Sequence, residues 1–136
     1  MAIQSELAAA GTARYSSAAA ENSHVVVAHQ AVFYGFDGRN TDTGNACFIM
    51  VFDAKALPVQ GTIPVICIGV GPAGTGVTAD LGNFGWTSAC SWGESFKNGI
   101  VIAASSTDAA SGLTVLTSSA VFIHAQYASE DGLSSY

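Results

Sequence analysis

Three histidines, three cysteines, a glycine-rich loop and one stretch rich in acids and amides are the features of this chain that could do chemistry. Gly69-Val70-Gly71-Pro72-Ala73-Gly74 has the spacing of a dinucleotide-binding loop and follows an apolar run. That chemistry needs a helix directly afterwards, whose first amides hold the pyrophosphate. The chain instead continues Thr75-Gly76-Val77-Thr78-Ala79-Asp80, which is β-like and glycine-broken, and it lacks the lysine of a P-loop. The segment therefore reads as a glycine-rich surface loop. Asp37 to Asn45 concentrates oxygen ligands of the kind Ca²⁺ takes, yet Arg39 stands where an EF-hand needs an acid or amide. Tight turns use the same residues, so a solvated turn is expected there. His24 and His29 fall on opposite faces of a regular strand, and His124 is distant, so strand geometry gives them no shared metal or proton. Ala89-Cys90-Ser91-Trp92-Gly93 lacks the first glycine of a nucleophile elbow. Cys47, Cys67 and Cys90 are odd in number and widely spaced, which suits neither a disulfide framework nor a C-x-x-C pair, and they read as small buried hydrophobes. The expectation is a protein that is not an enzyme, with no catalytic residues, no cofactor and no metal.

Two tryptophans, Trp86 and Trp92, lie in a stretch rich in glycine and serine. They suit an aromatic platform for a sugar, an anchor for a protein contact, or plugs at the ends of a core. Together with Ile3, Leu7 and Tyr15 near the start of the chain, they form the candidate assembly interface.

The elements that would carry these residues are strands. From Ser23 onward, short β-branched and aromatic runs alternate with turn residues, and no long helical period appears. Strands are expected over 24–34, 46–52, 63–70, 77–81, 99–105, 113–116 and 120–127. Asn98-Gly99 predicts a tight hairpin joining Ser95-Phe96-Lys97 to Ile100-Val101-Ile102. In the last strand Val121, Ile123, Ala125 and Tyr127 share one face and Phe122, His124 and Gln126 the other, giving one core face and one half-wet face. The 46–52 strand is apolar on both faces, so it is either central and covered twice or turned toward a partner. This pattern predicts an all-β, antiparallel two-sheet sandwich over residues 23–128, with a jelly-roll-like form among its options. An extended Ala/Ser-rich N-terminal arm (1–22) would precede it and a polar tail (129–136) would follow.

Of 136 residues only 10% are charged, against about 25% in an average soluble domain, and 4 Lys plus Arg face 10 Asp plus Glu for a net charge of -6. With no basic cluster to neutralise phosphates, nucleic acid is not an expected partner. No apolar run approaches the length of a membrane helix, so no membrane partner is expected, and Met1 to Leu7 does not resemble a secretory signal. Neutral small residues in place of surface charges suit close packing against identical copies, which predicts a homo-oligomer or incorporation into a larger assembly.

Two blocks extend this reading. One joins Val32-Phe33-Tyr34-Gly35 to Gly44-Asn45-Ala46-Cys47-Phe48-Ile49-Met50-Val51-Phe52-Asp53-Ala54 and Leu57-Pro58. The other joins the run from Phe96 to Thr107 to Ala120-Val121-Phe122-Ile123-His124-Ala125-Gln126-Tyr127. This order resembles a group of small structural proteins of tailed-phage virions, over roughly residues 32–127. The resemblance implies a β-sandwich that builds particles and brings no catalytic residues with it. The expected function is a capsid decoration or cement protein that bridges capsomers and stabilises the head. It would be a homo-oligomer, trimer favoured, with the major capsid protein or another virion protein as partner, located in the virion after assembly in the host cytoplasm. A tail, baseplate or fibre component is the alternative within that class. A carbohydrate-binding module using the tryptophans and the Asp37–Asn45 loop is the alternative outside it.

Overall fold

The structure is a computed structural model that describes residues 12–75, 81–90 and 92–129. Its strands are β1 (Thr12–Ser16), β2 (Ser23–Val27), β3 (Ala31–Asn40), β4 (Cys47–Phe52), β5 (Ile66–Val70), β6 (Asn83–Thr87), β7 (Glu94–Phe96), β8 (Ile100–Ser105) and β9 (Val121–Ser129). Every pairing is antiparallel. One sheet runs β1-β9-β3-β6, with β7 also beside β3, and the other runs β2-β8-β4-β5.

The order follows from one long antiparallel ribbon folded over on itself. β4 pairs with β5, β3 with β6 and β7, β2 with β8, and β1 with β9, each pair nested outside the last. The pairings β3·β9 and β4·β8 then stitch this ribbon into two facing sheets. Strands joined in this way define a jelly roll, the Greek-key sandwich with few open edges.

Between the sheets lies the main core, where Phe33, Phe36, Ile49, Val51, Phe96, Ile100, Ile102, Val121 and Ile123 are buried. Phe33 is its hub, with ring centroids 5.8 Å from Phe36, 5.7 Å from Trp86 and 5.6 Å edge-on from Phe96. A second, smaller core of Met50, Phe52, Val101, Ala103 and Leu113 covers the other face of β4 and β8. That explains why β4 is apolar on both sides: it is central and covered twice. The chain between β8 and β9 folds back to supply Leu113. Buried Ser105 holds this segment, accepting the Thr107 and Thr114 amides at 3.1 and 3.0 Å and donating to the Thr107 carbonyl at 2.9 Å.

Several sequence expectations change here. The 24–34 run is two strands in different sheets, because Val27 pairs with Ile100 while Ala31 pairs with Phe96 and Ser129, so residues 28–30 must cross the end of the core. Asn98-Gly99 makes no hairpin. It carries the chain from β7 in one sheet to β8 in the other, with the Asp53 carboxylate accepting the Lys97 and Asn98 amides at 3.2 and 2.8 Å. Glycine is needed at 99 because φ is +154° and a Cβ would lie 2.5 Å from both the Ala54 and Val27 carbonyl oxygens. Of the expected 113–116 strand there is only a bridge from Val115 to Ser105. Residues 77–80 of the expected 77–81 strand lie outside the described residues. Residues 12–16, read from sequence as part of the arm, form an edge strand of the first sheet, with Thr12 opposite Ala128 and Ser16 opposite His124. Strand β6 was not expected, and β9 extends through Ser129.

Candidate interaction surfaces

The turn between β4 and β5 is the innermost loop of the nested ribbon. Leu57, Val59, Ile63 and Val65 project from it with 41, 80, 60 and 62% of their surfaces exposed. They have nowhere inward to go, since Leu113 already fills the space over Met50 and Phe52. Pro58 and Pro64 lack the amides a regular ladder would use. The loop is nevertheless held. Gly61 N–H donates to the Leu113 carbonyl at 2.8 Å, Leu113 N–H to the Thr62 carbonyl at 2.9 Å and Val65 N–H to the Val51 carbonyl at 2.8 Å. The Gln60 side-chain oxygen accepts the Val115 amide at 3.2 Å. Between Lys55 and Asp80 the sequence carries no charged side chain. The result is a fixed, uncharged apolar ridge in water, the kind of surface that marks an interaction site.

The second surface is the outer face of the first sheet. Register places Arg14, Gln126, Gly35 and Thr87 side by side across β1, β9, β3 and β6. Ser16, His124, Asp37 and Gly85 form the next row, and Phe122, Arg39 and Asn83 the one beyond. The face sinks into two adjoining troughs of about 760 and 490 Å³ that share Asp37 and His124, the larger one lying where Gly35 and Gly85 bring no side chain. His124 Nδ1 lies 3.0 Å from Ser16 Oγ, and the Arg39 guanidinium sits 5.7 Å over the Phe122 ring. Among the described residues Glu21 contacts His24 at 3.1 Å, and neither Arg14 nor Arg39 is paired with a carboxylate.

The sequence-derived interface residues separate. Trp92 stands 75% exposed between β6 and β7, whereas Trp86 turns inward onto Phe33 and Phe36. The two rings therefore form no common platform. Tyr15 is half-buried, stacked on His24, with its hydroxyl donating to Glu21. Ile3 and Leu7 lie outside the described residues. The 37–45 stretch divides. Residues 37–40 belong to β3, and Asp42 closes a turn by accepting the Gly44 and Asn45 amides at 2.8 and 3.1 Å, bonds that hold its carboxyl below the usual range. Buried Asn40 ties this turn to the Gly71 carbonyl at 3.1 Å, so the glycine-rich loop serves as a brace. Cys47 is buried in the main core, while Cys67 and Cys90 are half-buried. The thiol of Cys47 is pushed up to about 11, first by burial and then by the nearby Asp42 charge. Among the described residues no three of His, Cys, Asp and Glu converge on a metal position, and no helix is long and apolar enough to cross a membrane.

Sequence reasoning missed the ridge because 63–70 looks like one strand. The prolines were the available signal, since neither has an amide to give a ladder and Pro64 therefore interrupts the apolar run. The fold and its surfaces together define an all-β jelly roll whose prominent features are an apolar ridge and a polar sheet face. No family model, curated protein or solved structure matches the chain.

Proposed function

We propose that this protein is a structural component of a tailed-phage virion, a capsid decoration or cement protein that adheres to its neighbours through the β4–β5 ridge. The observation that carries the reading is the fixed exposure of Leu57, Val59, Ile63 and Val65 on a segment without charge. Covering such side chains releases roughly 1–2 kcal/mol each, and the anchored loop loses little entropy on docking. Repetition over many copies multiplies the effect. Low overall charge supports the same reading, because contacts then bury few unpaired ions. Jelly rolls recur in capsid and lectin domains, a fold-level analogy that favours assembly without naming a partner. The partner in this reading is the major capsid protein or another virion protein, the protein itself is a homo-oligomer with a trimer favoured, and its place is the virion.

Sedimentation of the full chain, alone and mixed with particles lacking it, tests the proposal. An oligomer that co-sediments at a saturating, symmetry-related stoichiometry supports it. Val59→Asp and Ile63→Asp should abolish co-sedimentation while leaving the thermal melt unchanged. A monomer that ignores particles, or ridge variants that bind as the parent does, would overturn it.

A further inference from the structure

The outer face of the first sheet has a different chemistry from the ridge. Both arginines of the chain, Arg14 and Arg39, project from it, although the chain as a whole carries a charge of -6. Asp37 stands between them with no salt bridge among the described residues. Guanidinium groups on one face of an acidic protein, unpaired and flanking a trough, offer a planar fork for an anionic oxygen pair. Asp37 supplies an acceptor in the same trough and Gln126 both a donor and an acceptor. The floor is bare backbone at Gly35 and Gly85.

We propose that this face binds a short acidic saccharide, laid along β9 and β3 between Arg14 and Arg39. Saccharide hydroxyls both donate and accept, which matches a trough mixing Asp37, Gln126 and His124. The apolar faces of sugar rings suit the flat glycine floor at Gly35 and Gly85, and the Phe122 ring carries the Arg39 guanidinium at the far end of the face. The rows of Arg14 and Arg39 lie four residues apart along the strands, about 14 Å, which suits a short oligosaccharide rather than a single small ion. Asp37 also sets the polarity. It is two residues from Arg39 on one strand but two strands away from Arg14, so the sugar carboxylate is repelled less at Arg14 and sits there. The hydroxyls then meet Asp37. A bare phosphate or sulfate would occupy one arginine and leave Asp37 unused. An added peptide strand would need a free sheet edge, which a sheet face does not present. This inference does not depend on the particle-building role.

The test titrates the full chain with sialyllactose and, as the neutral control, lactose, using ligand-observed NMR and calorimetry. Gly85→Leu fills the trough, and the fold should accept it because a Cβ there meets nothing closer than 3.7 Å. Arg14→Ala removes the carboxylate fork, and neither variant should shift the melting temperature. The expected result is saturable binding of sialyllactose, weakened about tenfold or more in each variant and by a similar factor for lactose. Absence of saturable binding up to about 10 mM overturns the proposal, as does binding that survives both variants. Lactose binding as tightly as sialyllactose removes the acidic specificity. Full displacement by an equal concentration of sulfate reduces the site to an anion contact.

Discussion

The rings of Tyr15 and His24 stack with centroids 3.7 Å apart and planes 15° from parallel, joining β1 of one sheet to β2 of the other. Glu21 sits beneath the pair. One of its carboxylate oxygens accepts the Tyr15 and Ser17 hydroxyls, and the other lies 3.1 Å from His24 Nδ1. Its backbone bridges to Val121 in β9, with N···O distances of 2.8 and 2.9 Å. A single carboxylate thus ties together the edge where the two sheets would otherwise part.

Removing that carboxylate should loosen the edge. Glu21→Ala leaves the hydroxyls and the imidazole without their acceptor, and is expected to cost about 1–3 kcal/mol in urea unfolding. A loss below about 0.5 kcal/mol would show that water replaces Glu21 without penalty.

Alkaline pH should act on the same edge. Burial, followed by the hydrogen bond to Glu21, raises the Tyr15 phenol above its ordinary value of 10.0. A raised phenol favours the protonated form in the folded state, so its contribution is fully present below pH 10 and is lost as pH climbs through the folded value. Stability followed by circular dichroism should therefore fall on the alkaline side, and Tyr15→Phe should flatten that part of the curve. Identical profiles for the two proteins would remove Tyr15 as the cause.

Thiol chemistry should discriminate among the three cysteines. The Cys47 thiol, raised to about 11 and buried in the core, holds almost no thiolate at neutral pH. Mass spectrometry after brief maleimide treatment of the folded protein should find Cys47 unlabelled, and labelled only after denaturation. Rapid native labelling of Cys47 would mean that the main core opens on the labelling timescale. The same raised value means that stability from protonated Cys47 is present below about 9 and fades toward pH 11.

The two tryptophans should behave as opposites. Trp86→Ala empties space beside Phe33 and Phe36 and should cost about 3 kcal/mol, whereas Trp92→Ala should stay within about 0.5 kcal/mol. The fluorescence remaining in Trp86→Ala should be that of a water-exposed indole. A folded, equally stable Trp86→Ala protein would contradict the core packing.

How far the fold could be read in advance varies element by element. Strand β9 was legible because Val121, Ile123 and Ala125 alternate strictly with Phe122, His124 and Gln126. In β6 the same alternation exists, with Phe84 and Trp86 more buried than Asn83, Gly85 and Thr87, but a glycine and two short polar residues hid it. Strand β1 is only five residues long, and pairing with β9 and the Tyr15 stack hold it in place. Residues 24–34 show the limit most plainly: apolar character marks burial but does not say in which sheet. Both candidate surfaces depend on non-local register. Nothing adjacent in sequence brings Arg14 to Gln126, or Leu113 beneath the ridge.

Nesting has a mechanical consequence. Thr12 and Ala128 are direct partners at one end of the β1·β9 ladder, which continues to Ser16 and His124. Tension applied between Thr12 and Ala128 would peel this ladder one pair at a time, the geometry in which hydrogen bonds resist force least. Tension entering through the β4–β5 ridge would instead reach β4 between β5 and β8, where ladders on both sides share the load. A molecule gripped by its ridge would be strong, and the same molecule pulled by its outermost strands would unzip.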